Sequence, residues 1–257
     1  MRNIKLVLEY DGSRFFGFQR QKDKPTIQSE LEKALTGLFN RPMKIAAAAG
    51  RTDSGVHAKA QIVNFKTDSL LPLGRIQKGL NALLPQAVAV KKVEEMPLDF
   101  HARYSARWKT YEYLVFNSEV RAPLLDGHVY RFPYLVDLVK IKKAARQLVG
   151  RHDFRAFQTS GSSVKDSVRF VRRFTISHVP SPFLLPKGER VRGDLIQFSI
   201  EADGFLYHMV RNIVGTLLEL GRGKLPPGDF SNLFKARRRF VYTVPPQGLT
   251  LASVKYR

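Results

Sequence analysis

From Gly50 to Ala60 the chain reads G-R-T-D-S-G-V-H-A-K-A, a polar stretch with an aspartate at its centre and apolar sequence on both sides. Ile45 to Ala49 precedes it, and Ala60, Ile62, Val63 and Phe65 follow, so two strands meet at a polar turn. Gly50 and Gly55 supply backbone freedom, and Thr52, Asp53 and Ser54 are residue types that bond to their own backbone in turns. On turn chemistry alone Asp53 is an Asx-turn residue.

Working outward, Ile4, Leu6, Leu8 and Tyr10 alternate with polar or smaller residues and predict a first strand, which Asp11-Gly12 ends. Thr26 caps a helix with Ile27, Leu31, Leu35, Leu38 and Phe39 on one face. A second helix carries Ile76, Leu80, Leu83 and Leu84 and stops at Pro85, and Ala87 to Val93 is a further strand. The order is β-α-β-β-α-β.

The same order recurs after about residue 105. W-K-T-Y-E-Y-L-V-F opens it as a strand, and Leu138, Ile141, Ala145 and Leu148 mark a helix. Strands follow at Arg169 to Val179 and Leu195 to Glu201, then a helix from about Gly204, and L-T-L-A-S-V-K-Y closes the unit. The expected fold is α+β (mixed α/β): two ferredoxin-like units, residues 1–105 and 106–257, whose antiparallel sheets join over a central catalytic cleft. Many RNA-binding folds share this layout.

Composition narrows the partner. Lys and Arg number 43 against 22 Asp and Glu among 257 residues, a formal charge of +21. The charges recur in separate clusters, Lys140 to Lys143, Arg169 to Arg173 and Arg237 to Arg239, rather than beside one apolar helical face, so nucleic acid fits better than a membrane surface. Without cysteine there are neither disulfides nor thiolate metal sites, and the six histidines show no pairing suited to helical metal ligands, so no metal is expected. The charged N-terminus lacks the apolar core of a signal peptide, and no stretch reaches membrane-spanning length; a cytoplasmic protein is expected.

In G-F-L-Y-H-M-V-R-N-I-V-G, a helix starting at Gly204 would align Gly204, His208, Arg211 and Gly215 along one stripe. Arg211 there either faces solvent or meets a carboxylate such as Asp53 or an anionic ligand. Tyr111 and Tyr113 share one face of their strand, either as core or as a stacking surface for a base. The D-S-G triplet also suggests an aspartic protease, but that mechanism needs a second carboxylate, and no second D-S-G or D-T-G exists.

Taken together, Y-D-G-S-R-F-F-G-F-Q, A-G-R-T-D-S-G-V-H-A-K-A-Q, F-H-A-R-Y-S-A-R-W-K-T-Y-E-Y, H-D-F-R-A-F and F-L-Y-H-M-V-R-N-I-V-G-T-L resemble the TruA-type tRNA pseudouridine synthases over nearly the whole chain. The resemblance implies a homodimer that isomerises uridine to pseudouridine in the anticodon arm of tRNA without a cofactor. It makes Asp53 the catalytic nucleophile and Tyr111 an active-site residue. Arg211 becomes the arginine that pairs with the aspartate, with Arg51 in the same signature, and Leu249 an apolar residue around the target base.

The chain departs from the family's usual pattern at Phe18, Asp203 and Val244, and the basic stretch at 180–193 has no assigned role. Glycines, aromatics and basic residues between Asp11 and Lys24 suggest a mobile arm touching RNA through Arg14, Phe16, Phe18, Gln19 and Arg20. The rival reading is a non-catalytic RNA-binding protein on the same fold, but phosphate binding alone has no use for a carboxylate at Asp53.

Overall fold

A computed structural model describes residues 1–159, 166–179, 194–225, 232 and 242–256. The stretch at 180–193 and the cluster Arg237 to Arg239 lie outside the described residues. The chain divides into two compact units, Met1–Lys109 with Thr250–Arg257, and Thr110–Leu249.

The first unit follows the expected order: β1 (Arg2–Tyr10), α1 (Ile27–Phe39), β2 (Ala47–Ala48), β3 (His57–Thr67), α2 (Leu73–Leu83) and β4 (Val88–Met96). β1 pairs antiparallel with both β3 and β4, and β2 adds antiparallel to β3 at Ala47↔Asn64 and Ala48↔Val63. This is the ferredoxin-like arrangement. Its cause is legible in β1, where Ile4, Leu6 and Leu8 are wholly buried, with Ile27, Leu31 and Leu35 of α1 and Ile76 and Leu80 of α2 completing the core. α1 begins at Thr26, whose hydroxyl accepts from the Ser29 N–H while Ser29 returns a bond to the Thr26 N–H, a capping box. A smaller apolar layer of Ala49, Ile62, Phe100 and Ala102 gathers Val7, Met96, Val254 and Tyr256.

The second unit contains most of β5 (Trp108–Asn117), then β6 (Tyr130–Phe132), α3 (Leu138–Arg146), β7 (Gly150–Asp153), β8 (Val168–His178), β9 (Asp194–Ala202) and α4 (Met209–Gly221). β8 pairs antiparallel with β7 and β9. Two short strands were not foreseen: β7, and β6, which runs parallel to β5. The core brings together Tyr113 and Val115 of β5, Phe154, Phe157, Phe198, and Ile213, Val214 and Leu217 of α4.

The final strand, β10 (Leu249–Lys255), stands last in the order of the second repeat, yet it pairs in parallel with β3 at Thr250↔His57 and Leu251↔Ala58. Thr250–Arg257 therefore groups with the first unit. Among the described residues no helix is long and apolar enough to cross a membrane.

Candidate active site

Between Ala48 and His57 the chain forms the loop that carries Asp53, and it is held on two sides. Beneath it, the buried Tyr10 hydroxyl lies 2.7 Å from Thr52 Oγ1, and Gln61 Nε2 donates to the Gly50 carbonyl at 2.8 Å. Beside it, the Phe18 N–H donates to the Thr52 carbonyl at 3.0 Å, and the Ser54 hydroxyl donates to the Phe15 carbonyl at 3.2 Å. The loop closes on itself through the Val56 N–H and the Asp53 carbonyl at 3.1 Å, with Gly55 at φ +77°. Burial pushes the Tyr10 phenol up to about 12, so it stays protonated at neutral pH. Asp53 is half-buried and Arg51 exposed on this fixed frame.

His57, directly after the loop, extends the frame. Its Nδ1 accepts from the Gly12 N–H at 3.1 Å and lies 3.1 Å from Asp11 Oδ1. Gly12 passes so close that a β-carbon there would sit 2.0 Å from the Val56 carbonyl oxygen. Tyr10, Gln61 and His57 were missed as positioning residues, although His57 and Gln61 follow Asp53 in the same motif and Tyr10 precedes the Asp-Gly turn.

The stretch from Asp11 to Lys24, expected as a mobile arm, forms a wall beside the Asp53 loop. Phe15 and Phe18 are buried, the Ile27 and Gln28 N–H groups donate to the Gly17 and Phe18 carbonyls, and the Phe16 N–H donates to the Pro25 carbonyl. Phe18, at 2% exposure, anchors the wall. Arg14, Phe16, Gln19 and Arg20 remain outward. Arg20 is engaged: its guanidinium lies 2.5 Å from Glu32, a carboxylate on α1 that is nearly solvent-free, accepts from Gln28 Nε2 and also holds the Ile45 N–H. Lys24 lies 4.8 Å from the Phe16 ring centroid.

In the second unit Tyr111 and Tyr113 both point inward from β5. Tyr111 meets the Phe205 ring edge-on at 4.9 Å. Tyr113 donates its hydroxyl to the Pro245 carbonyl at 2.7 Å, and burial drives its phenol far above the usual range. Arg211 Nε donates to the Val244 carbonyl at 2.8 Å. The segment 242–249, which delivers the buried Leu249 to the start of β10, is thus held by α4 on one side and β5 on the other. Two glycines allow this approach: a β-carbon on Gly215 would lie 1.8 Å from the Tyr242 carbonyl oxygen, and one on Gly248 would lie 2.8 Å from the Tyr113 ring.

The expected stripe on α4 does not form as drawn. The helix begins at Met209, so Gly204 and His208 precede it; His208 takes a left-handed backbone with φ +61° and its Nδ1 lies 3.1 Å from Thr159 Oγ1. Asp203 gives the reason. Its carboxylate accepts from the Phe170 N–H at 3.0 Å and its own N–H donates to the Phe170 carbonyl at 3.2 Å, which keeps the chain attached to β8 instead of entering a helix. Only Arg211 and Gly215 of the four lie on the helix. Asp53 and Arg51 belong to the first unit, and Tyr111, Arg211 and Leu249 to the second.

Comparison with known proteins supplies the frame for these residues. The sequence profile of the tRNA pseudouridine synthase family matches residues 6–105 and 144–257. The chain is 41% identical over 258 residues to the tRNA pseudouridine synthase A of Acetivibrio thermocellus, and 39% identical to that of Caldicellulosiruptor saccharolyticus. It is 41% identical to the tRNA pseudouridine synthase A 2 of Clostridium perfringens, and each alignment spans the whole of both proteins. With its Asp53 loop and the Arg211 and Leu249 positions inside the profile match, and Tyr111 inside the full-length alignments, the chain belongs to the tRNA pseudouridine synthase family.

Proposed function

We propose that this protein converts uridine to pseudouridine in the anticodon arm of tRNA, acting as a homodimer with Asp53 as its nucleophile. The observation that carries the reading is the seating of Asp53: a half-buried carboxylate on a loop whose Thr52 and Gly50 are bonded to the buried side chains of Tyr10 and Gln61. A surface turn needs no such frame, whereas a reacting carboxylate must keep its geometry.

The reaction breaks the bond from C1′ to N1 of uracil, turns the ring and rejoins C1′ to C5; the C5 proton leaves and N1 gains one. One ionised carboxylate suffices, adding to the base or the sugar, or abstracting the C2′ proton. The target base must first leave its stack, at a cost of a few kcal/mol. In this reading Tyr111 and Leu249 receive the flipped base, while Arg51 and Arg211 bring positive charge to the phosphates and the carboxylate. The outward Arg14, Phe16, Gln19 and Arg20 contact RNA on the loop beside Asp53.

The test is incubation of the purified protein with an unmodified tRNA transcript, followed by mapping of pseudouridine. Pseudouridine confined to the anticodon arm supports the proposal. Tight tRNA binding without any pseudouridine would instead fit a non-catalytic RNA-binding protein.

A further inference from the structure

The connection from β4 to β5 is anchored more firmly than a link between strands requires. Within it, the Ser105 N–H donates to the His101 carbonyl at 2.9 Å, the His101 N–H donates to Ser105 Oγ at 3.1 Å, and the N–H groups of Arg103 and Tyr104 both donate to His101 Nδ1 at 3.2 Å. Beneath it, two solvent-free amides brace the turn. Asn3 Nδ2 donates to the Pro97 and Phe100 carbonyls at 3.0 and 2.8 Å, and Asn64 Nδ2 donates to Asn3 Oδ1 at 2.9 Å. Asn64 Oδ1 accepts from the Ala102 N–H at 3.1 Å, and the Tyr256 hydroxyl donates to the Ala102 carbonyl at 2.7 Å. Buried amides are costly unless bonded, and these bonds converge on one turn.

What the turn presents outward is an aromatic step. Tyr104 is 77% exposed, so most of its ring stands in water although the backbone beneath it is fixed. The His101 ring stacks on it with centroids 4.3 Å apart and planes at 29°, and the Arg103 guanidinium lies 5.6 Å from its centroid. Arg107, also exposed, follows with its guanidinium 6.0 Å from the Trp108 ring. Scattered exposed aromatics are ordinary. One seated by a buried amide network, extended by a second ring and flanked by cations on a chain of charge +21 has the parts of a nucleobase stacking site.

We propose that Tyr104, with His101 and Arg103, stacks on an unpaired base of the RNA substrate, in addition to the base received at the Asp53 site; this rests on the RNA reading above. Every base has a π face, so the platform reads no sequence. A base inside a duplex offers no free face, so its ligand is a nucleotide in a loop, bulge or end.

Full-length parent, Tyr104→Ala and Tyr104→Phe proteins are compared by filter binding of an unmodified tRNA transcript at graded salt, with melting curves as the folding control. Tyr104→Ala is expected to weaken binding roughly 5- to 150-fold and Tyr104→Phe to bind like the parent. The slope of log affinity against log salt should stay unchanged, since tyrosine neutralises no phosphate. Photocrosslinking of a 4-thiouridine-substituted tRNA should label Tyr104. Parent-like binding by Tyr104→Ala, an equal loss in Tyr104→Phe, or a loss accompanied by a flatter salt slope would overturn the platform. Pseudouridine is mapped in the same parent samples: modification with unimpaired Tyr104→Ala binding sinks the platform alone, and absence of modification sinks the enzymatic reading while the binding comparison still judges the platform.

Discussion

Phe18 and Thr52 are joined backbone to backbone, the Phe18 N–H donating to the Thr52 carbonyl at 3.0 Å, and Gly17 passes that same carbonyl with no room for a side chain. The contact couples the wall from Asp11 to Lys24 to the loop that presents Asp53.

The first prediction follows from that contact. Gly17 has φ +88°, and a β-carbon on it would lie 2.8 Å from the Thr52 oxygen, a backbone atom that cannot swing aside. Gly17→Ala should cost about 1–3 kcal/mol in stability. Pseudouridine formation should fall further than that loss of folded protein explains, because the strain is relieved by moving the Asp53 loop. A thermal melt and single-turnover assays on the folded fraction check this; parent-like turnover would show that the two loops are not coupled.

Asp53→Asn addresses the chemistry. Asparagine suits the same turn but is neither nucleophile nor base. The variant should melt like the parent and bind tRNA at least as tightly, since one negative charge is gone. Its single-turnover rate should drop below roughly a thousandth of the parent's, by analogy with loss of a covalent-catalysis group elsewhere. A rate near the parent's makes Asp53 a turn residue.

Arg211→Lys keeps the charge and removes the Nε donor that holds Val244 at 2.8 Å. Hydrogen bonds to charged groups are worth about 1.5–3 kcal/mol, so residues 244–249 should exchange their amide hydrogens faster and turnover should fall. Unchanged exchange together with unchanged turnover would assign Arg211 no part in holding this segment.

Tyr10 gives a pH dependence. Its folded value is raised from 10 to about 12 by burial, so its contribution to stability is complete below pH 10 and is lost as pH rises from 10 through 12. A rise of that size corresponds to a few kcal/mol. Tyr10→Phe lacks this titration, so the stability difference between parent and variant should hold below pH 10 and shrink from pH 10 to pH 12 in denaturant titrations. A difference constant across that range would mean that the phenol ionises as easily folded as unfolded.

The sequence by itself determined what depends on near neighbours. The alternation of Ile4, Leu6, Leu8 and Tyr10 made β1, the Thr26–Ser29 box started α1, and the motif around Asp53 marked the candidate site before any fold was known. A period or a cap is complete within a few residues, so it can be read along the chain. Tertiary structure decided what required distant partners. Phe15 and Phe18 turned inward because the Asp53 loop and α1 offered them a surface, and a composition of aromatics and cations cannot tell a buried ring from an exposed one. Helix α4 started at Met209 and not near Gly204 because Asp203 was held by Phe170, and β10 joined β3 through residues nearly two hundred positions apart. Such bonds are chosen by competition among all the surfaces the folded chain brings near, a choice that no local pattern encodes.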